Sequence, residues 1–241
     1  MDLPGRWQAL PHGYDGPVTA TTRGRIDKRQ AILDAAFTVF TRRGYAAAGM
    51  QEIADEAGVA KPTLYNHLGD KETVFRRAME AAADTVRAEN TAIVERLRAP
   101  GEDLRAALED VAHRMLLVCC GERAGALRRL TLAQAGEFPE LVVAVHERTA
   151  IRLSDALADR LARLSLDGTL RRCEPALAAE QLLALLTGPM EARSRLGTRD
   201  VPPDQTRAIA RAAVTTFLAA YGPRAADTGN PGRPGHVPST P

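Results

Sequence analysis

Side chains capable of directional polar contact crowd one short stretch, Lys61-Pro62-Thr63-Leu64-Tyr65-Asn66-His67. Leu64 and Leu68 stand four apart, so on a helix they share one face. Thr63, Tyr65, Asn66 and His67 are then left pointing outward. An outward face of hydroxyl, phenol, amide, imidazole and lysine is the pattern a helix presents to a DNA major groove. Lysine can donate to guanine O6 and N7, and glutamine can pair bidentately with adenine. Lys61, Thr63 and the nearby Gln51 are therefore candidate base readers, and Pro62 can touch a thymine methyl. Asn66 and His67 lie a turn deeper and are placed to meet phosphate.

These side chains need a frame. Ile53, Ala54 and Ala57 give an apolar stripe at helical spacing just upstream. Gly58 stops that helix, because glycine enters the left-handed conformation without a Cβ clash. Val59 is the buried residue of the turn, and Pro62 suits the first turn of the next helix. The spacing predicts a helix-turn-helix. A longer helix over about 27–43, with Ile32, Leu33, Ala36, Phe37 and Phe40 on one face, is expected to pack across both and to end at Gly44.

Residues 28–77 resemble the DNA-binding domain of the tetracycline-repressor (TetR) family of bacterial transcriptional regulators. The resemblance rests on Ile32, Ala35, Ala36, Phe40, Gly44, Tyr45, Ile53, Ala54, Ala57, Gly58, Val59, Thr63, Leu64, Tyr65, Lys71 and Glu72. It implies that Tyr65 and Lys71 contact the phosphate backbone. It also implies a homodimer reading a palindrome, a small-molecule effector, and a four-helix dimer interface built from the last two helices. One departure stands out: the family usually carries threonine or serine at the start of the second helix, and this chain has Ala48-Gly49. Glycine is a tolerable N-cap, with Glu52 three residues on. One hydroxyl contact to DNA is expected to be lost.

Composition agrees with an all-α chain. Alanine and leucine carry the apolar content, aromatics are only 4%, and no sustained β-branched alternation exists to build a sheet. The net charge of +2 excludes a histone-like binder. Between Arg23 and Arg77 there are ten Lys/Arg against seven Asp/Glu, a mild bias that suits a few placed phosphate contacts. Cys119, Cys120 and Cys173 lack metal or redox spacing and read as buried thiols. No Gly-rich phosphate loop, nucleophile elbow or HExxH motif is present, so an enzyme is disfavoured and no cofactor is expected. With no signal segment or long apolar run, the expectation is a cytoplasmic protein without membrane contact.

Four parts are expected along the chain. Residues 1–25, rich in Pro and Gly, read as a flexible leader ending in a basic arm, Thr21-Thr22-Arg23-Gly24-Arg25. Residues 26–71 read as the helix-turn-helix domain. Residues 72–221 read as a helical effector-binding and dimerisation domain, opened by a long helix from Lys71 to about Arg98. Residues 222–241, with five prolines and four glycines, read as a disordered tail. Further helices are expected over about 102–119, 123–135, 139–164, 175–196 and 203–221.

The effector pocket is expected between the long helix and residues 102–164, with Met115, Leu116, Cys119, Leu127, Leu130, Phe138, Leu141 and Val145 as candidate lining. Leu182, Leu183, Leu186, Met190 and Phe217 are candidate dimer contacts, because the leucine surplus suggests a second buried helix face. His113, Cys119 and His146 match no metal-ligand spacing. The function expected is a ligand-responsive homodimeric repressor released from operator DNA by a small molecule. A DNA-binding regulator without a small-molecule effector is the alternative.

Overall fold

The computed structural model describes residues 19–101, 103–195 and 199–223. The expected tail from 224 onward, and the leader up to 18, lie outside the described residues. The described residues form ten α-helices and no strand. They are α1 (Thr19–Ala47), α2 (Met50–Glu56), α3 (Lys61–Leu68), α4 (Lys71–Val94), α5 (Leu104–Cys119), α6 (Glu122–Ala133), α7 (Pro139–His146), α8 (Arg152–Leu166), α9 (Pro175–Ser194) and α10 (Pro203–Tyr221). A 3-10 turn, Glu95–Arg98, extends α4, and a π segment, Glu147–Ile151, joins α7 to α8.

Most helix ends follow local chemistry. Gly44 takes φ 74° and breaks the helical run of α1, where a side chain would strain the backbone. Asp70 caps α4 by accepting from the Thr73 N–H at 2.7 Å, and Asp103 and Glu174 cap α5 and α9 in the same way. Two boundaries differ from expectation. The backbone of α1 is already helical at Thr19, so the expected basic arm at 21–25 is helix and not extended chain. Nothing from Thr19 to Asp27 is a proline. Extending an existing helix costs far less than starting one, and Gly24 costs only about 1 kcal/mol.

The expected single helix over 139–164 is interrupted by the π segment. Leu141, Val145, Thr149, Leu153, Leu157 and Leu161 recur every four residues. A straight α-helix would rotate such a row by about 40° per step. Locally looser winding keeps these side chains facing inward.

Two apolar cores form. One joins α1–α3 and the first half of α4 to Leu127, Leu130, Phe138, Leu141 and Val145 of the following helices. The other gathers the end of α4 with α5, α8, α9 and α10. The second corrects the expected dimer contacts. Leu182, Leu186, Met190 and Phe217 are enclosed within the protomer itself, and Leu183 packs part-buried against the same core. Helix α9 touches α5, α8 and α10, so its wide apolar face is covered without a partner. The outward faces are different: Leu177, Ala184 and Gly188 on α9, and Ala208, Ala212 and Thr216 on α10.

The Asp70 cap gives a pH-dependent prediction. Accepting from the Thr73 N–H holds the Asp70 carboxyl below its ordinary range. A depressed carboxyl contributes stability above its unfolded pKa and loses it as pH falls through the folded one. Asp70→Ala is expected to lower stability at neutral pH, because the Thr73 N–H loses its acceptor. Urea denaturation should show that difference shrinking below pH of about 4.

Candidate nucleic-acid interface and regulatory cavity

The turn between α2 and α3 is built from backbone hydrogen bonds. The Val59 N–H donates to the Ala54 carbonyl at 2.9 Å and the Gly58 N–H to Asp55 at 3.1 Å. That paired pattern requires a left-handed residue, and Gly58 supplies it with φ 63°. Leu64 and Leu68 are buried under α3. Lys61, Pro62, Tyr65 and Asn66 stand exposed on its outer side, and Thr63 and His67 are partly exposed beside them. All six therefore reach one continuous surface.

Two further candidates are already held in place. Gln51 is exposed, and its amide donates to Asp55 at 2.8 Å, which leaves its carbonyl oxygen and one N–H for another partner. Lys71 donates to the Ala46 carbonyl at 2.9 Å and sits 4.9 Å from the centre of the Tyr45 ring. An ammonium carries three donors, so this contact fixes its position and leaves capacity for a phosphate.

Gly49 caps α2 with no side-chain contact, as the Ala48-Gly49 departure implies. Glu52 does not close a capping box. It pairs with Arg42 at 2.9 Å and Arg43 at 3.1 Å on α1. Those hydrogen bonds, Arg42 first, hold its carboxyl below the usual range. The pairs are exposed and contribute little to stability, but they turn two arginines toward α2.

Behind this domain lies a cavity of about 510 Å³, a size that suits a small organic molecule. Its lining combines Val86 and Asn90 of α4, Leu127 and Thr131 of α6, Val145 and Thr149, Leu153 of α8, and Leu183 and Thr187 of α9. Of the expected lining residues, Cys119, Leu127 and Val145 are there. Met115 and Leu116 are instead buried in the second core. Leu130, Phe138 and Leu141 belong to the core shared with the DNA-binding helices. Phe138 has turned away from the cavity, to 5.1 Å from the Tyr45 ring and 5.6 Å from Phe75. The apolar period could not say which core each residue joins. The polar lining had no place in the expectation, although Asn90 was visible as an amide in the Val86–Val94 stripe of α4.

Cys119 and His146 border the cavity, whereas His113 lies across α5 beside Arg207. Among the described residues no three His, Cys, Asp or Glu side chains gather as metal ligands.

Residues 32–78 match the family described as bacterial regulatory proteins, tetR family. Residues 106–223 match the C-terminal domain of AefR-like transcriptional repressors. A solved tetR-family transcriptional regulator from Mesorhizobium loti MAFF303099 is 31% identical, with a TM-score of 0.77 over 82% of this chain and 98% of that one. The chain belongs to the tetR family. Its all-helical architecture, with the helix-turn-helix first, is the family's. Two curated tetR-like relatives carry opposite signs. The HTH-type transcriptional activator FasR of Mycolicibacterium smegmatis is 41% identical over 31% of this chain and 36% of its own length. The HTH-type transcriptional repressor KstR2 of Rhodococcus jostii is 34% identical over 39% of this chain and 44% of its own length. This chain thus spans less than half the length of either relative. No helix among the described residues is long and apolar enough to cross a membrane.

The cysteine in the cavity wall of this tetR-family chain allows a direct check. Burial, reinforced by neighbouring Cys120, pushes the Cys119 thiol up to about 11. A raised pKa keeps the sulfur protonated and unreactive through neutral pH. Alkylation followed by mass spectrometry should leave Cys119 almost unmodified at pH 7.5. Its labelling should rise only as pH approaches 11.

Proposed function

We propose that the protein is a homodimeric, ligand-responsive repressor that leaves a palindromic operator when a small molecule fills its cavity, acting in the cytoplasm. One observation carries this reading: helix α6 belongs to both sites. Leu127 and Thr131 line the cavity, while Leu127 and Leu130 also join the core of the DNA-binding helices. Arg123 of α6 reaches Asp34 of α1 at 3.5 Å. Anything that repositions α6 must therefore move or strain α1. A ligand that fits one position of α6 better than the other shifts the population between two settings of the DNA-binding helices. The repressor sign is supported by the AefR-like repressor match to the C-terminal half.

On DNA, Lys61, Pro62, Thr63 and Gln51 are the proposed base readers. Tyr65 and Lys71, with Asn66 and His67, anchor the backbone. A dimer sets two recognition helices about one helical turn apart, roughly 34–36 Å. Its interface is the outward face of α9 and α10, where alanine, glycine and threonine let two helix pairs approach closely. A regulator rather than an enzyme is supported by the family match of both halves.

Randomised-site selection tests the DNA assignment. Lys61→Ala should relax preference at one base position per half-site, at a cost of about 1–3 kcal/mol there. A uniformly weaker mutant with the same preferred sequence would mean that Lys61 only anchors the backbone. Two glutamates test the interface. Ala212→Glu should give folded monomers in sedimentation, whereas Leu186→Glu should unfold the protomer, because a buried unpaired carboxylate costs several kcal/mol. A folded dimer with Ala212→Glu would place the interface elsewhere. Titrating the selected DNA site with cavity-filling molecules separates the effector reading from a regulator without one.

A further inference from the structure

Lys71 is a cation held by neutral groups. Both its chain neighbours are acidic, yet both are committed elsewhere: Asp70 accepts from the Thr73 N–H at 2.7 Å, and Glu72 pairs with Arg76 at 2.9 Å. The Lys71 ammonium is held instead by the Ala46 carbonyl at 2.9 Å and by the Tyr45 ring, whose centre is 4.9 Å away. A carboxylate in their place would cancel the charge that a phosphate needs. A carbonyl and a ring face attract an ammonium and leave its charge intact.

The ring is itself set from the regulatory half. Tyr45 is half-buried and follows Gly44, whose φ of 74° breaks the helical run. Phe138 meets it edge-on, with ring centres 5.1 Å apart and planes at 87°, and Phe75 packs on it at 4.8 Å. Phe138 is braced in turn by Arg76, which lies 4.7 Å from the centre of its ring and pairs with Glu140 of α7. Phe138 is the residue before α7, and Val142, Val145 and His146 of that helix line the cavity. One run of contacts thus leads from the cavity wall through α7, Phe138 and Tyr45 to Lys71.

We propose that Tyr45 is a positioning residue for DNA binding: its ring fixes the Lys71 ammonium for a backbone phosphate, and α7 sets the ring through Phe138. The proposal rests on Lys71 being a phosphate anchor of the proposed repressor and adds how the regulatory half controls that anchor. A free lysine loses rotamer entropy when it meets a phosphate. One already held loses less. A ligand that shifts α7 moves the ring, frees Lys71 and weakens binding to every sequence alike.

The salt dependence of DNA binding tests this, because each phosphate contact adds about one unit to the slope of log K against log salt. Fluorescence anisotropy of the full chain on the selected DNA site should show Lys71→Ala flattening the slope by about one unit per half-site. Tyr45→Leu and Phe138→Leu should each flatten it by about half a unit or more. Adding Tyr45→Leu to Lys71→Ala should flatten it no further. Tyr45→Phe keeps the ring and should rescue the parent slope. Tyr45→Met fills similar space without a ring and replaces Tyr45→Leu should that variant fail to fold. A merely structural Tyr45 would lower the melting temperature and leave the slope alone. That result overturns the proposal, as do additive slopes in the double variant, Tyr45→Phe as flat as Tyr45→Leu, or Phe138→Leu with the parent slope. An unchanged slope for Lys71→Ala is a separate failure. It removes Lys71 from the phosphate contacts, and the proposal with it, and leaves the repressor reading to its other DNA contacts.

Discussion

Phe138 sits at the start of α7, yet its ring lies against Tyr45 and Phe75 in the DNA-binding half. Phe40 completes the group, 4.9 Å from Phe75. Much else in the structure depends on this packing. Helices α1–α3 enclose too little apolar area to form a sufficient core alone. They obtain the rest from α6 and α7 of the regulatory half. Ion pairs bracket the same seam: Arg76 with Glu140, Arg123 with Asp34, and Arg148 with Asp84. These are partly or fully exposed and individually weak. The aromatic cluster, at about 0.5–1.5 kcal/mol per ring pair beyond its buried area, is the stronger tie.

A shared core makes regulation a matter of packing. Interiors are dense and do not deform continuously, so on the proposed function a change on the cavity side of α6 would be met by a discrete shift on the other side. The required differential affinity is modest. Coupling energies of about 1–3 kcal/mol change DNA affinity by roughly 5–150-fold. A hydrogen bond made only in one state, with the apolar area around it, is enough to supply that. The π segment fits the same picture, since it places Thr149 in the cavity wall and Arg148 against Asp84 of α4. Local irregularity in a helix often marks such positions.

Much of the architecture could be read from the chain because its signals are local. Gly44, Gly58, Gly69 and Asp70 mark breaks that backbone geometry demands wherever the helices go, and Pro139, Pro175 and Pro203 each open a helix. The outward face of α3 was legible for the same reason: one buried stripe, Leu64 and Leu68, fixes which side of a short helix faces out. Assigning faces on long helices failed, because period alone does not name the neighbour. Leu186 and Phe217 have the spacing of an interface, yet both are buried within the protomer, α9 against α5 and α8, and α10 against α5. Met115, Leu116 and Phe138 carry the character of a pocket lining and instead fill the two cores. Asn90 shows the opposite case. Its amide was visible in an apolar stripe of the chain, but its place in the cavity wall with Thr131, Thr149 and Thr187 emerged only from the fold.

The central claim is that the DNA-binding helices and α6–α7 share one core. Native-state hydrogen exchange on Phe138→Ala measures this directly. Removing a buried phenylalanine should cost about 3–5 kcal/mol. If the core is shared, amides of α1, of the first half of α4 and of α6 should lose protection together by about that amount, because they open as one unit. Lost protection confined to α6 and α7, with α1 and α4 as firm as in the parent chain, would show that the DNA-binding domain holds a core of its own and would contradict the account.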